Sequence, residues 1–170
     1  MGLRATIKED FKVNSSNTKG KFVVLFFRLS GFFCTKRKNP VYFIIGIFFR
    51  SFYRFFVQWT MGIDLPEKTK IGKGLCIYHG QGLVVNEDTI FGDYVTLRQN
   101  TTIGNKTDGG RSPVFGNHIN IGANSVIIGD IDIGDNVTIG AASVVIKDVP
   151  SGVVVVGNPA KIIKQVSEKF

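Results

Sequence analysis

Apolar residues recur at every sixth position through the second half of the chain, and this period constrains the fold more than any other feature. From residue 115 to residue 145 the period has no slip, with the anchors Phe115, Ile121, Ile127, Ile133, Ile139 and Val145. A small or β-branched residue stands four positions after each anchor. Each hexad supplies one short strand and one turn, and three hexads make one triangular coil. The sequence therefore predicts a mainly β protein, a parallel β-helix with inward-pointing anchors.

The repeat shifts by two residues near His79. Ile77 and Leu83 keep the six-residue spacing, but Val85 opens the frame that the later anchors continue. A histidine at a distorted point of a repeat is more informative than one inside it. His79 is therefore the first candidate for a chemical role.

A carboxylate stands about one coil before this histidine. Asp64 precedes His79 by fifteen residues. It could accept the imidazole Nδ1–H, so that Nε2 takes a proton from an acceptor hydroxyl that attacks a thioester. On spacing alone, a hydrogen-bonded structural histidine and a turn carboxylate are equally good interpretations.

The hexad repeat is interrupted by a loop and ends before the C-terminus. Residues 104–114, which contain the sequence NKTDGGRSPV, are polar and rich in glycine, and we predict that they form a loop outside the β-helix. The frame ends after Pro150, and we predict a tail over residues 151–170. The β-helix domain as a whole is predicted to cover residues 61–170.

The first sixty residues have a different chemistry. They hold 11 Lys or Arg, 2 Asp or Glu and 12 of the 15 Phe, a net charge of 11 − 2 = +9, against 10 − 11 = −1 for the remainder. The charge implies an anionic partner. Because the Phe residues form apolar blocks and do not alternate with basic side chains, we expect a phospholipid surface and no nucleic acid.

We predict that residues 1–60 form a basic, aromatic, helical segment. A polar stretch over 1–18, mobile at its extreme end, would precede apolar helices over 21–33 and 41–59. In the second helix Arg50, Arg54 and Gln58 stack on one side. Each arginine costs roughly 2.5–3.5 kcal/mol at a bilayer centre, so a spanning helix is disfavoured.

We therefore expect residues 21–60 to contact a membrane surface, with the arginines at lipid phosphates and the Phe face in the acyl region. Packing of these helices on each other or in an oligomer is the alternative.

The stretch from Asp64 to Lys164 resembles the serine acetyltransferase branch of the hexapeptide-repeat acyltransferases. Four segments carry the resemblance: IGKGLCIYHGQGLVV (71–85), TLRQNTTIG (96–104), GANSVIIGDIDIGDNVTIGAASVV (122–145) and VGNPAKII (156–163). It implies a left-handed β-helix, a homotrimer with active sites between neighbouring coils, and acetyl-CoA as co-substrate. His79 falls on the family's catalytic histidine, and Asp64 on the carboxylate that orients it.

The same resemblance implies an acetyl-CoA groove. Ala123 and Ala141, in Gly-Ala pairs one coil apart, fall on positions that line it, and Gly104 begins the loop beside it. Lys161 lies in the matching C-terminal segment and is assigned to the same co-substrate. Small residues would let the pantetheine arm lie close to the backbone.

Two departures from the serine enzymes concern the acceptor. Those enzymes have an Asp before the catalytic histidine, where this chain has Tyr78, and their loop carries Arg-His-Pro, where this chain has Arg111-Ser112-Pro113. The amino-acid pocket is therefore not kept. Tyr78, Arg111 and Ser112 become candidate substrate contacts, with a solvated loop cation or a CoA-phosphate contact as alternatives for Arg111.

The chain resembles more closely the O-acetyltransferases of colanic-acid and capsule synthesis, which share a short basic, aromatic N-terminal segment. This resemblance implies acetyl transfer to a saccharide hydroxyl, on lipid-linked units at the inner face of the bacterial cytoplasmic membrane. A serine O-acetyltransferase and a non-catalytic membrane-associated scaffold are the alternatives. We expect no metal, because a zinc site with three histidine ligands needs more than His79 and His118. Cys76 is expected to be a thiol without a nucleophilic role.

Overall fold

The computed structural model describes residues 2–36 and 38–165. Within them the helices α1 (Leu3–Val13), α2 (Thr18–Thr35) and α3 (Pro40–Phe52), with a π-helical continuation of α3 over Tyr53–Thr60, precede fifteen strands. The strands are β1 (Ile63–Asp64), β2 (Lys70–Ile71), β3 (Cys76–Tyr78), β4 (Leu83–Val85), β5 (Ile90–Phe91), β6 (Thr96–Arg98), β7 (Thr102–Gly104), β8 (Val114–Phe115), β9 (Asn120–Ile121), β10 (Val126–Ile128), β11 (Asp132–Ile133), β12 (Thr138–Ile139), β13 (Val144–Val145), β14 (Val153–Gly157) and β15 (Ala160–Gln165).

The first fourteen strands form three parallel sheets around one core. Their orders are β1-β4-β7-β10-β13, β11-β8-β5-β2 and β14-β12-β9-β6-β3, so successive strands from β1 to β13 belong to successive sheets. The anchors point inward, and Phe91 stacks on Phe115 with ring centroids 4.6 Å apart. This is a parallel β-helix, and the predicted fold class is confirmed.

The pairing register shows how long each coil is. A regular coil has 18 residues, as between Val84 and its partner Thr102. The first coil has 20, since Ile63 pairs with Leu83, and the coil with the loop has 24, since Thr102 pairs with Val126. The loop adds the length of one hexad, and for this reason the sequence frame keeps its phase across residues that leave the β-helix.

The C-terminal boundary differs from the predicted tail. Strand β14 pairs in parallel with β12 and buries Val153 and Val155, so the β-helix continues through residue 157. Ile139 pairs with Val155, sixteen residues later, and this short coil conceals the strand from a six-residue count. Strand β15 then folds back antiparallel to β14. Residues 166–170 of the predicted tail lie outside the described residues.

The N-terminal helices cover the open edge of the first coil. The stretch 1–18, predicted only as polar, contains helix α1, in which Asp10 is fully buried. Leu75 N donates to Asp10 Oδ1 (2.9 Å), and Asn14 Nδ2 donates to Leu75 O (2.8 Å). Asn17 Nδ2 donates to Ile77 O (2.7 Å). These side chains form hydrogen bonds with backbone groups of Leu75 and of edge strand β3. No further coil is present on this side to pair with those groups.

The polar stripe on α3 and its continuation faces the protein. Arg54 Nη2 lies 2.7 Å from Oε1 of Glu67, whose side chain is buried. Gln58 Nε2 (3.3 Å) and Tyr53 OH (2.7 Å) both donate to Leu65 O. Arg54 thus pairs within the chain while 55% of its side chain stays exposed, and its contact with lipid phosphates stays a prediction.

The buried pair of Asp10 and Arg28 supports a stability prediction. Arg28 Nε lies 2.8 Å from Asp10 Oδ2, and Arg28 also donates to Ile71 O and Gly72 O. Asp10→Asn leaves this guanidinium nearly buried without its carboxylate. We expect the free energy of unfolding in urea to fall by about 3–5 kcal/mol. The exposed Asp88→Asn is the control, with a change within about 0.5 kcal/mol. Equal effects of the two substitutions would contradict this assignment.

Candidate active site

His79 lies in a two-residue insertion between β3 and β4, where the chain passes from the third sheet to the first. Tyr78 pairs with Arg98, and Val84 pairs with Thr102. Five residues lie between the first members of these pairs and three between the second. The extra pair is His79-Gly80, which explains the shift of the sequence frame.

The insertion has a specific backbone conformation. His79 has φ +63° and Gly80 has φ +77°, and Gly80 N donates to Tyr78 O at 2.8 Å. A Cβ on Gly80 would lie 2.8 Å from Ile63 Cδ1, so a larger residue would be both strained and crowded. A left-handed histidine is uncommon, and such conformations concentrate at functional sites. The turn carries the imidazole outside the β-helix wall, where His79 is exposed.

Asp64 is the last residue of β1, two residues after Gly62, which adjoins the turn of His79. Gly82 N donates to Gly62 O (2.8 Å), and Asp64 pairs with Val84. Both Asp64 and His79 are exposed, and no hydrogen bond joins these two described side chains in the single chain.

Gly104 shares a shallow cavity with Asp64. The cavity has a volume of about 420 Å³ on the outer face of the five-stranded sheet, and Asn105 and Val84 also line it. It lies at the ends of β1, β4 and β7, where the predicted loop leaves the β-helix. The structure thus brings one predicted acetyl-CoA residue beside one predicted catalytic residue.

Ala123 and Ala141 lie one above the other on the corner that also carries His79. Ala142 N donates to Ala123 O (2.9 Å), and below them Asn124 N donates to Gln99 O (3.1 Å). The column continues through Gln81, which immediately follows the His79 insertion. The small side chains of Ala123 and Ala141 keep this corner narrow at the upper end of the column.

Arg111 is fixed at the far end of the loop. Its Nη1 lies 2.5 Å from Asp130 Oδ1 and its Nη2 lies 2.7 Å from Asp132 Oδ1. These carboxylates raise the pKa of the Arg111 guanidinium through hydrogen bonds. Ser112 is buried, and its Oγ has no hydrogen-bond partner among the described residues. Within one chain, this loop and His79 lie at opposite edges of the five-stranded sheet.

Lys161 is not brought near the other predicted residues. It lies in β15, paired with Val156 of β14, and lines a small cavity with Lys147 and Asp148 at the C-terminal end. Its predicted role in acetyl-CoA binding rests on the family segment alone.

Arg98 is a candidate that the sequence reasoning missed. Its guanidinium carbon lies 5.6 Å from the centroid of the Tyr78 ring. Its Nη1 donates to Asn120 Oδ1 (2.6 Å) and Ile121 O (2.9 Å), so the cation is held in place beside the residue that precedes His79. Because Tyr78 and Arg98 pair across a 20-residue coil, the six-residue period did not place them together.

The chain has relatives among known acetyltransferases. No family model matches the chain. The chain is 35% identical over 157 residues, 91% of its length and 96% of the relative's, to WcaB of Escherichia coli (strain K12), provisionally described as a colanic acid biosynthesis acetyltransferase. It is 36% identical over 108 residues, 62% of its length and 63% of the relative's, to the serine acetyltransferase of Helicobacter pylori.

Solved structures of serine acetyltransferases have the same fold. The enzyme of Neisseria gonorrhoeae has a TM-score of 0.80 and 26% identity, over 98% of this chain and 67% of that one. The soybean apoenzyme has a TM-score of 0.76 and 28% identity, over 95% and 69%. The coils thus define a left-handed β-helix acyltransferase. The chain belongs to the hexapeptide-repeat acetyltransferases.

Cys76 allows a test that separates direct acyl transfer from a thiol acyl-enzyme. Burial raises the pKa of the Cys76 thiol, and its Sγ lies 3.5 Å from Asn14 Oδ1 under α1. The raised pKa keeps the thiol protonated near neutral pH, and the thiolate increases only at alkaline pH. In a Cys34→Ala background, we expect iodoacetamide to alkylate the folded chain at pH 7.5 at least about tenfold more slowly than the urea-unfolded chain. Cys76→Ala should keep its acetyl transfer rate; loss of that rate would contradict the assignment.

Proposed function

We propose that this chain is an acetyl-CoA-dependent O-acetyltransferase that acts on a saccharide hydroxyl in the synthesis of an exopolysaccharide or capsule. Likeness in sequence to WcaB over nearly the whole of both chains carries the proposal. The likeness to the Helicobacter pylori serine acetyltransferase covers 62% of the chain. Because solved serine acetyltransferases also match the helices in shape, the shape alone does not favour one acceptor.

The residues beside His79 support a saccharide over an amino acid. Tyr78 replaces the Asp that would face a substrate amino group, and its exposed ring is backed by the fixed cation of Arg98. An aromatic ring with neighbouring polar groups can stack on the apolar face of a sugar and bind its hydroxyls. Ser112 likewise replaces a loop histidine of the serine enzymes with a small hydroxyl.

In the proposed mechanism His79 acts as general base. Its imidazole removes the proton from the acceptor hydroxyl as the oxygen attacks the thioester carbonyl of acetyl-CoA. The tetrahedral intermediate collapses to the acetyl ester and the CoA thiolate. The thiolate then takes up the proton that the imidazolium holds. Asp64 is proposed as a positioning residue: the two side chains are not hydrogen-bonded in the single chain, so a side-chain rotation would have to bring the carboxylate to the imidazole N–H, where it would orient the ring and stabilise its charged form.

We place acetyl-CoA along the edges of the five-stranded sheet. The small side chains of Ala123 and Ala141 would let the pantetheine arm lie close to the backbone at this corner. The cavity at Gly104 lies on the outer face of the same sheet. Lys161 would meet the nucleotide end. No single chain brings Arg111 and Ser112 to His79, so in our proposal they reach the site of a neighbouring subunit in a homotrimer. The outward Val84 and Val126 of that sheet offer an apolar surface for such packing.

The first test is release of CoA thiol from acetyl-CoA. We expect release with nucleotide sugars or lipid-linked saccharides and none above background with serine. Serine O-acetyltransferase activity, the second candidate, is favoured by identities of 36–42% to enzymes of that name. Release with serine alone would establish that candidate and overturn the saccharide acceptor.

The second test concerns the catalytic base. His79→Ala should lower kcat by about 10²–10⁴-fold because general-base assistance is lost. The matched control is His118→Ala: His118 is also exposed and also has a positive φ, but it stacks on Tyr94 at 4.9 Å in a regular turn. We expect this control to keep its rate within about twofold. An unchanged rate in His79→Ala would exclude the mechanism, and absence of acetyl-CoA binding in the unaltered chain would favour a non-catalytic scaffold.

A further inference from the structure

The outward face of α3 and its π-helical continuation is an apolar surface without a partner among the described residues. The most exposed large side chains at its two ends and centre are Ile44 (68%), Phe48 (64%) and Trp59 (80%). The full set, the docking face, is Val41, Tyr42, Phe43, Ile44, Ile45, Ile47, Phe48, Phe55, Phe56 and Trp59. Contiguous apolar surface of this size on a small domain marks an interaction site.

The opposite face of the same helix is occupied along its length. Phe33 of α2 stacks on Phe49 with ring centroids 5.2 Å apart and an interplanar angle of 11°. Phe26 stacks on Phe52 at 4.5 Å. A Cβ on Gly46 would lie 2.9 Å from Phe33 Cβ, so the two helices pack closely. The docking face is therefore held rigidly by the protein.

This packing excludes a simple crossing of the bilayer. Residues 40–60 form a helix long and apolar enough to span, with 17% of its most apolar window buried. A spanning helix would need lipid or apolar protein on all sides. Here the inner side carries the ion pair of Arg54 with Glu67 and the hydrogen bond from Tyr53 to Leu65. A bilayer can meet only the docking face.

Charge and aromatic placement favour a membrane as the occupant. Between Asp10 and Asp64 the chain has nine Lys or Arg and no Asp or Glu. Lys36 and Lys38 are exposed immediately before α3. Tyr42 and Trp59, the residue types that prefer the membrane–water interface, stand near the two ends of the face. A second protein chain would not require this one-sided charge.

We propose that the docking face is a monotopic membrane-binding surface for a leaflet that contains anionic phospholipid. Ile44, Phe48 and Trp59 enter the upper acyl region, and Lys36 and Lys38 meet the phosphates. Arg54 is paired with Glu67, and the proposal does not depend on it. The proposal goes beyond the proposed function because it holds whatever the acceptor is, and its test uses neither acetyl-CoA nor an acceptor.

The test is sedimentation of the full chain with vesicles of phosphatidylcholine and phosphatidylglycerol (about 7:3), followed by the fluorescence of Trp59. Because the chain has one Trp, the emission reports on the docking face alone. We expect binding, a blue shift on vesicle addition, and quenching by lipids brominated high in the acyl chain. Lys36→Gln/Lys38→Gln should weaken binding to these vesicles by about tenfold or more and leave the weak binding to neutral vesicles unchanged.

Matched apolar substitutions separate insertion from non-specific adhesion. Ile44→Ser/Phe48→Ser should weaken vesicle binding at least about tenfold. The control, Ile162→Ser/Ile163→Ser, alters residues that are 53% and 62% exposed at the other end of the β-helix, and should change binding by less than twofold. Equal losses in both variants, or no vesicle binding, would overturn the proposal. Trp59 emission that is blue-shifted without lipid and shifts to the red on dilution would also overturn the proposal, because a second copy of the chain would then cover the docking face.

Discussion

A parallel β-helix forms its backbone hydrogen bonds between coils, so each end exposes unpaired strand edges and an open core. The N-terminal end is closed by polar side chains of helices: Asp10, Asn14, Asn17 and Arg28 bond to backbone groups of the first coil. The far end is closed by the turn back of β15 on β14. Without these closures the edges would invite pairing with other chains.

This closure also determines where the other features lie. Because α1 and α2 are fixed on the first coil, α3 packs outside α2 and turns its apolar face away from the protein. The same first coil contains the insertion of His79, two residues after the carbonyl of Ile77 that Asn17 holds. The proposed catalytic turn and the proposed membrane surface therefore belong to the same end of the molecule. An acceptor attached to a membrane lipid would meet both.

The sequence predicted the features that follow from local spacing. A β-helix repeats its side-chain environment every six residues, so the inward anchors, the loop after Gly104 and the shift at His79 are visible directly in the chain. Features that depend on the register between coils were not visible. The pairing of Tyr78 with Arg98 needs the 20-residue length of the first coil, and the final strand with Val155 is concealed by a 16-residue coil.

The N-terminal segment shows a second limit of sequence reasoning. Its helices α2 and α3 were predictable from apolar composition, but periodicity does not reveal which side of an amphipathic helix meets the protein. The ion pair of Arg54 depends on Glu67, which is buried in the first coil. The order of α1 likewise depends on backbone groups more than sixty residues away, such as Leu75 N. Long-range polar contacts of this kind have no local signature.

The account is tested most directly by the chemical identity of the product. The full chain is incubated with acetyl-CoA that carries ¹³C in the acetyl carbonyl, in the presence of both a lipid-linked saccharide fraction and free serine, and the products are analysed by NMR and mass spectrometry. The account predicts a ¹³C-acetyl ester on a sugar hydroxyl that is lost with His79→Ala. O-acetylserine as the labelled product, or an undiminished sugar ester from His79→Ala, would contradict it.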